Sequence, residues 1–374
     1  MQKKSNFFKI TLIYFISLVL FVGIRIIFGL GFLSNIPELW QDIISTVLIQ
    51  IVVMFLVPFL FYMLFFKKKP KETFSNLGFK KITLKAVLIC LLIGLIAFFL
   101  NIVVSSIFNG IIQAFGYKQS GSSGSGDYSI LSFFVNVLCV AILPALCEEF
   151  LHRGLLMRGL FNSISVKHAL IISSLCFGLM HLNIVQFFYA TILGVLIGFV
   201  SIVGKSIWPA IIIHFVNNFV NVYLSFASKN NWFLGNFYEA IANFVSNNFL
   251  ISLIMIIILI LALLYLLVRL IFALLKITSF ESFKNVILKL KGTLNKDVVN
   301  YNTQEEINEM HYINDLEPII LDNMQEPKNM LDLFLQDIYP KEKLFVWDKI
   351  FLIASWFLGI IITIFTFVWG ILWQ

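Results

Sequence analysis

Three polar clusters interrupt an otherwise apolar stretch between residues 143 and 218. The first has two adjacent glutamates and an arginine, and the others each have a histidine: Glu148 and Glu149 with Arg153, then His181, then His214 with Asn218. Ionisable side chains at membrane depth are costly and usually serve a function. We therefore interpret the three clusters as one hydrolytic active site built within the membrane.

The spacing of the first cluster predicts different roles for its two glutamates. On a helix, Glu149 and Arg153 are i, i+4 neighbours and can form an ion pair, so we expect them to be structural. Glu148 points about 100° away around the same helix and lacks that partner. A free, desolvated carboxylate suits a general base. Pro144 lies just before the pair and frees the carbonyl of Val140 from its helical hydrogen bond.

The histidines can be placed at the depth of Glu148 by counting from the nearest basic residues, at about 1.5 Å per residue. Glu148 then lies about 15 Å from Arg158, and His214 about 13 Å from Lys205. His181 comes out nearer 20 Å from the preceding Lys167. The three side chains are thus expected to share one level below the basic surface.

The composition is that of a polytopic membrane protein. Of 374 residues, 60% are hydrophobic and 13% are charged, and the mean hydropathy is +0.94. Soluble domains have about 25% charged residues. The net charge of +7 comes with lysines clustered between apolar runs, so we exclude nucleic-acid binding. Four cysteines lie in apolar segments, where we expect buried small side chains and no disulfide framework: Cys90, Cys139, Cys147 and Cys176.

The apolar runs predict an all-α transmembrane bundle of about nine spans. They cover residues 7–33, 42–66, 83–109, 129–157, 168–182, 185–203, 207–227, 247–275 and 347–372. Every second loop is basic, which predicts a cytoplasmic N-terminus, an external C-terminus and, in a bacterium, a plasma-membrane location. The predicted division is into N-terminal helices and loops, a catalytic core, an eighth helix with its preceding loop, an acidic cytoplasmic segment and a last helix: 1–128, 129–227, 228–277, 278–345 and 346–374.

Two segments outside the spans differ in composition. Residues 120–126 consist of serine and glycine, which is typical of a flexible linker. Residues 278–345 hold 12 of the chain's 20 acidic residues, and we predict a partly helical cytoplasmic insert that could bind a protein partner.

Several other residues have structural interpretations. His152 and His168 lie near the basic ends of their spans and are expected to be solvated. Gly194 and Gly198 offer a small face for close helix packing. Arg25 lies inside the first span, and no partner can be assigned to it.

The order and spacing of the polar clusters resemble the CPBP family, which comprises the type II CAAX prenyl proteases and bacteriocin-processing or immunity proteins. The matching motifs are Glu148-Glu149-x-x-x-Arg153, Phe177-x-x-x-His181 and His214-x-x-x-Asn218. Pro144 and Gly154 also match, whereas His152 departs from the aromatic residue usual before the arginine. The resemblance covers about residues 130–225.

The resemblance implies peptide-bond hydrolysis within the membrane, on its cytoplasmic side. It assigns water activation to Glu148 and His181, and oxyanion stabilisation to His214 and Asn218. Glu148, His181 and His214 could instead hold one Zn²⁺. The expected partners are membrane lipids and a peptide or lipidated peptide substrate, and a mechanism without a cofactor is preferred. A non-catalytic immunity or scaffold protein that retains the motifs is the alternative.

Overall fold

The structure is a computed structural model that describes residues 5–117, 127–161, 163–247, 249–294, 344 and 346–372. Those residues form an all-α bundle without strands. The serine-glycine linker and most of the acidic segment lie outside the described residues. The predicted partner-binding role of the acidic segment therefore stays a prediction.

Eleven helices make up the described part of the chain. They are α1 (Asn6–Gly29), α2 (Glu38–Phe66), α3 (Pro70–Asn76), α4 (Leu84–Ala114), α5 (Ile130–Leu160), α6 (Val166–Met180), α7 (Ile184–Val203), α8 (Trp208–Asn230), α9 (Phe237–Asn247), α10 (Phe249–Leu294) and α11 (Val346–Leu372). Eight of them are long and apolar enough to cross a membrane: α1, α2, α4, α5, α7, α8, α10 and α11. The chain is thus an integral membrane protein with a polytopic helical fold.

The fifth predicted span differs from the other eight. It is the 15-residue helix α6, about 22 Å long, whereas a hydrocarbon core is about 30 Å thick. This helix ends inside the bundle, and His181 is its C-terminal cap residue. Helix α10 also departs from the predicted bounds, because it continues to Leu294, past the expected boundary at residue 277.

Side-chain caps fix where several helices begin. Ser5, Thr83, Ser129 and Ser165 each accept a hydrogen bond from a backbone N–H in the first turn of the helix that follows. Asn183 caps α7 in the same way, with its Oδ1 2.8 Å from the amide nitrogen of Val185. Such caps satisfy N–H groups that have no partner within the helix.

The basic residues gather at one end of the bundle, here called the lysine-rich end. Lys9 lies over the ring of Phe66, with its Nζ 5.2 Å from the ring centre. The carbonyl of Lys80 accepts a hydrogen bond from Ser206, and Arg158 donates one to the Ser201 carbonyl. These contacts join the start of α1, the ends of α2, α5 and α7, and the loops before α4 and α8.

Small residues bring α6 and α7 into close contact. A Cβ added to Gly178 would lie 2.1 Å from Thr191 Oγ1 and 2.8 Å from the Phe187 carbonyl oxygen. A Cβ on Gly194 would lie 3.3 Å from the Ser174 Cα, and one on Gly198 would lie 2.5 Å from Leu170 Cδ1. The predicted packing role of the α7 glycines agrees with these distances. The α6–α7 hairpin consequently holds His181 at a fixed position beside α5.

Candidate active site

Two of the helices that form the site contain wider π-helical turns. These turns are Val47–Leu56 in α2, and Val137–Ile142 and Phe150–Met157 in α5. Gln50 lies in the first, and the third begins directly after the adjacent glutamates. Single π-helical turns often occur at functional sites, because they change the direction in which side chains project. Along α5, one π-helical segment precedes the two glutamates and another follows them.

Glu149 is the centre of a fully buried polar network. Its Oε1 lies 2.9 Å from Arg153 Nη1 and 2.9 Å from His214 Nδ1, so two helices meet at one carboxylate. Arg153 Nη2 also donates to the carbonyl of Gly194 at 3.0 Å. The i, i+4 pair is therefore present in the structure, and Glu149 in addition orients the His214 ring.

Glu148 faces away from this network, as its position on the helix predicted. Its Oε1 accepts a hydrogen bond from Gln50 Nε2 at 2.9 Å, and no salt bridge involves it among the described residues. It lines a cavity of about 250 Å³, which is large enough for several water molecules. The cavity wall includes six long polar side chains: Arg25, Gln50, Glu148, His152, His181 and Gln186.

His181 shares this cavity with Glu148. Its Nδ1 lies 2.9 Å from the Phe177 carbonyl oxygen. Because a carbonyl only accepts hydrogen bonds, the proton of the neutral ring lies on Nδ1 and Nε2 carries a lone pair. The ring therefore offers an acceptor for a water in the cavity.

The ring of Phe177 lies among three polar side chains of the site. Its centroid is 5.1 Å from the ring of His181, 5.6 Å from that of His214 and 4.3 Å from the Arg153 guanidinium carbon. One aromatic ring thus separates the two motif histidines. His214 is nearly fully buried and does not line the cavity, so it lies behind the wall that Glu148 and His181 share.

Asn218 lies one turn beyond His214 and also stays outside the cavity wall. Its Nδ2 donates to the carbonyl of Val140 at 2.9 Å. Pro144 lacks the N–H that an α-helical turn would donate to this carbonyl. Asn218 therefore joins α8 to α5 in the structure, and its second N–H carries no hydrogen bond within the described part. Its predicted oxyanion role stays a prediction.

The expectation that His152 is solvated was wrong, whereas His168 is exposed as expected. His152 is 1% exposed, and its Nδ1 bonds to the Glu148 carbonyl at 2.8 Å. Its buried Nε2 has no hydrogen-bond partner, although the residue lines the cavity. Covering by neighbouring elements explains the burial, since Tyr14 of α1 packs against its ring.

Sequence reasoning also missed Gln50 and Gln186, and it left Arg25 without a role. All three line the cavity. Each of the three is a polar residue inside an apolar span, which is a signal that the sequence offers. Of the three, only Arg25 was noted on that basis. The four cysteines are free and buried, as predicted.

The arrangement does not fit the zinc site that the motifs could have formed. No group of three or more histidine, cysteine, aspartate or glutamate side chains within the described residues is arranged to hold a metal ion. His214 directs Nδ1 to Glu149 and lies behind the wall, so Glu148, His181 and His214 do not converge on one point. We derive no catalytic step through a metal.

Comparison with known proteins gives a match for the part of the chain that carries these motifs. Neither the curated proteins nor the solved structures contain a match to the chain. The family of type II CAAX prenyl endopeptidases described as Rce1-like matches residues 130–220, which span α5 to α8 and include all three polar clusters. This part of the chain is therefore similar to the CPBP, or CAAX protease, family.

Proposed function

We propose that the protein is an intramembrane endopeptidase that hydrolyses a peptide bond of a membrane-associated or prenylated peptide. One observation carries the proposal. Glu148 has no cationic partner among the described residues, and it shares a polar cavity inside the bundle with the acceptor nitrogen of His181. A hydrolase needs a carboxylate and an imidazole that both face a space large enough for the attacking water.

In the proposed mechanism, Glu148 is the general base. Gln50 holds one of its oxygens, which leaves the other for a water molecule that His181 Nε2 also contacts. Glu148 takes a proton from this water, and the hydroxide oxygen bonds to the carbon of the scissile amide. The C–N bond then breaks, and the proton passes from Glu148 to the leaving nitrogen.

The oxyanion of the tetrahedral intermediate needs hydrogen-bond donors. His214, whose Nδ1 lies 2.9 Å from Glu149 Oε1, is one proposed donor, through Nε2–H. The second N–H of Asn218 is the other proposed donor. The Phe177 ring separates His214 from His181, so the proposed mechanism requires this ring to move aside when the substrate binds.

We further propose that the lysine-rich end and the N-terminus are cytoplasmic. Glu148 would then lie about 15 Å from the cytoplasmic ends of the helices. A substrate would reach the cavity from within the bilayer, which suits an apolar or lipidated peptide.

Cleavage of a pooled library of apolar peptides by the purified protein in lipid nanodiscs tests the proposal. Glu148→Gln should reduce kcat by about 10²- to 10⁴-fold, the usual contribution of a general base. Glu38→Gln is the matched control, because Glu38 is an exposed glutamate at the start of α2. A Glu148→Gln protein as active as the wild type would refute the proposal.

A chelator separates the two mechanisms. Activity should survive extended chelation, since the described residues form no three-ligand group. Loss of activity that zinc restores would overturn the metal-free mechanism. If the wild type cleaves no peptide in the library, the non-catalytic alternative gains support.

A further inference from the structure

Arg25 is a cation placed in the wall of the catalytic cavity. It lies in α1, four residues before that helix ends, and it lines the same cavity as Glu148. Residue 25 is outside the region that the family match covers. An arginine inside a membrane span is costly and usually has an anionic partner or a water-filled surrounding.

Within the described residues, no ion pair or hydrogen bond joins Arg25 to another side chain. The other span arginines are engaged. Arg153 pairs with Glu149, and Arg269 donates to the hydroxyl of Tyr265 at 2.8 Å. Arg25 is itself exposed, so its N–H groups remain available to a molecule that enters the cavity.

The depth of Arg25 relative to Glu148 follows from a contact between α1 and α5. A Cβ on Gly159 would lie 2.6 Å from Ile10 Cδ1, so these two residues mark one level. Counted from that level, Glu148 lies about 16 Å and Arg25 about 22 Å along their helices. Arg25 is thus about 6 Å farther from the lysine-rich end, a distance that roughly two residues of extended peptide span.

We propose that Arg25 binds a carboxylate of the peptide substrate, about two residues from the scissile bond. This inference rests on the proposed peptidase function and names the substrate class: a peptide with a carboxylate near the cleavage site. The carboxylate can be the C-terminus of the peptide or an aspartate or glutamate side chain. Gln186 lines the same cavity and supplies a second polar group for such an anion.

A guanidinium binds a carboxylate through two parallel N–H···O bonds, which gives both affinity and a fixed peptide register. Because Arg25 and Glu148 line one cavity, the fixed register would place a particular amide bond beside Glu148. Arg25 is in this view a specificity-determining residue, and Glu148 remains the base.

The experiment compares matched peptides in nanodiscs containing wild-type protein, Arg25→Met, Arg25→Lys or Arg269→Met. Each library sequence is made as a C-terminal acid, as a C-terminal amide, and as amides with an internal aspartate or asparagine. The readout is the ratio of kcat/KM between the members with and without a carboxylate. Wild type should prefer the carboxylate roughly 10- to 100-fold, the usual value of a charged hydrogen bond.

Arg25→Met should bring this ratio close to one, Arg25→Lys should retain part of it, and Arg269→Met should retain all of it. If Arg25→Met loses only the preference for the C-terminal acid over the amide, the bound anion is the C-terminus. If it loses only the preference for aspartate over asparagine, the bound anion is a side chain. An unchanged ratio in Arg25→Met overturns the inference. So does an equal loss of cleavage for all members, which would make Arg25 an anchor to lipid phosphates.

A binding measurement separates this inference from the proposed function. The affinities of fluorescent acid and amide peptides for wild type and Arg25→Met are measured by anisotropy, without turnover. If no peptide is cleaved, the peptidase proposal fails, yet an Arg25-dependent preference for the acid still supports the carboxylate site. Equal affinities for acid and amide overturn the site, whether or not cleavage occurs.

Discussion

Replacing Glu149 by glutamine should expose the cost of an uncompensated charge inside the bundle. Glu149 and Arg153 are both 0% exposed, and 2.9 Å separates Oε1 from Nη1. In Glu149→Gln, the guanidinium loses its anionic partner and keeps only neutral ones, namely the new amide oxygen, the Gly194 carbonyl and the face of Phe177. Removing one member of a buried ion pair costs about 3–5 kcal/mol. Arg153→Met should cost a similar amount, because it leaves the Glu149 carboxylate buried.

The double variant should be much more stable than the sum of the two single changes. With both charges gone, the main remaining loss is the donor to the Gly194 carbonyl, worth about 1–3 kcal/mol. The singles together would cost about 6–10 kcal/mol. The expected coupling energy is therefore several kcal/mol, which is large for one residue pair.

Unfolding of the purified protein by SDS in mixed micelles, followed by tryptophan fluorescence, measures these free energies. Lys68 and Glu72 provide the control cycle, since they also form an i, i+4 pair but are 45% and 50% exposed. That pair should show a coupling energy below about 1 kcal/mol. If Glu149→Gln and Arg153→Met add without coupling, the argument from the buried ion pair is wrong.

Two further predictions concern residues that the structure connects to α5. Asn218→Ala should cost about 1–3 kcal/mol of stability by removing the partner of the Val140 carbonyl. The cost should shrink in a Pro144→Ala background, where a helical N–H can take that place, and SDS unfolding measures both. Gln50→Leu should lower kcat in the peptide-library assay roughly 10-fold or more with little change in KM, because Glu148 loses the donor that orients it.

Each of these predictions has an outcome that contradicts it. An equal cost of Asn218→Ala with and without Pro144 would mean that the Val140 carbonyl is not the partner that matters. A rise in KM with unchanged kcat in Gln50→Leu would make Gln50 a substrate contact rather than a positioning residue. Gln113→Leu, a change of an exposed glutamine on α4, is the matched control for the second case.

The local parts of the site could be predicted from the sequence because they depend on one helix. The Glu149–Arg153 pair follows from i, i+4 spacing, and the separate direction of Glu148 follows from the 100° turn per residue. The contact between Glu149 and His214 could not be predicted, since 65 residues separate them along the chain. Only the packing of α8 on α5 brings the two side chains together.

The error over His152 shows where counting along a helix fails. The residue lies about 9 Å from Arg158, which suggested exposure to solvent. The rings of Tyr14 in α1 and Phe177 in α6 pack against its ring, however, with centroids 5.7 and 5.2 Å away. Depth along one helix gives no information about which neighbouring helices cover a side chain. The predicted number of spans depended on the same kind of counting. It included the short α6, although this helix ends within the bundle rather than at its surface.

The cavity wall is built from two parts of the chain, one inside and one outside the region of the family match. Glu148 and His181 come from the region that matches the CAAX protease family. Arg25 and Gln50 come from α1 and α2, which lie outside that region, as do four more of the twelve lining residues. If a family domain supplies the water-activating groups, the helices that close the cavity around it decide which peptide fits. Substitutions of the lining residues of α1 and α2 other than Gln50, which holds Glu148, should therefore change the choice of substrate. Substitutions at Glu148 should abolish cleavage of every substrate.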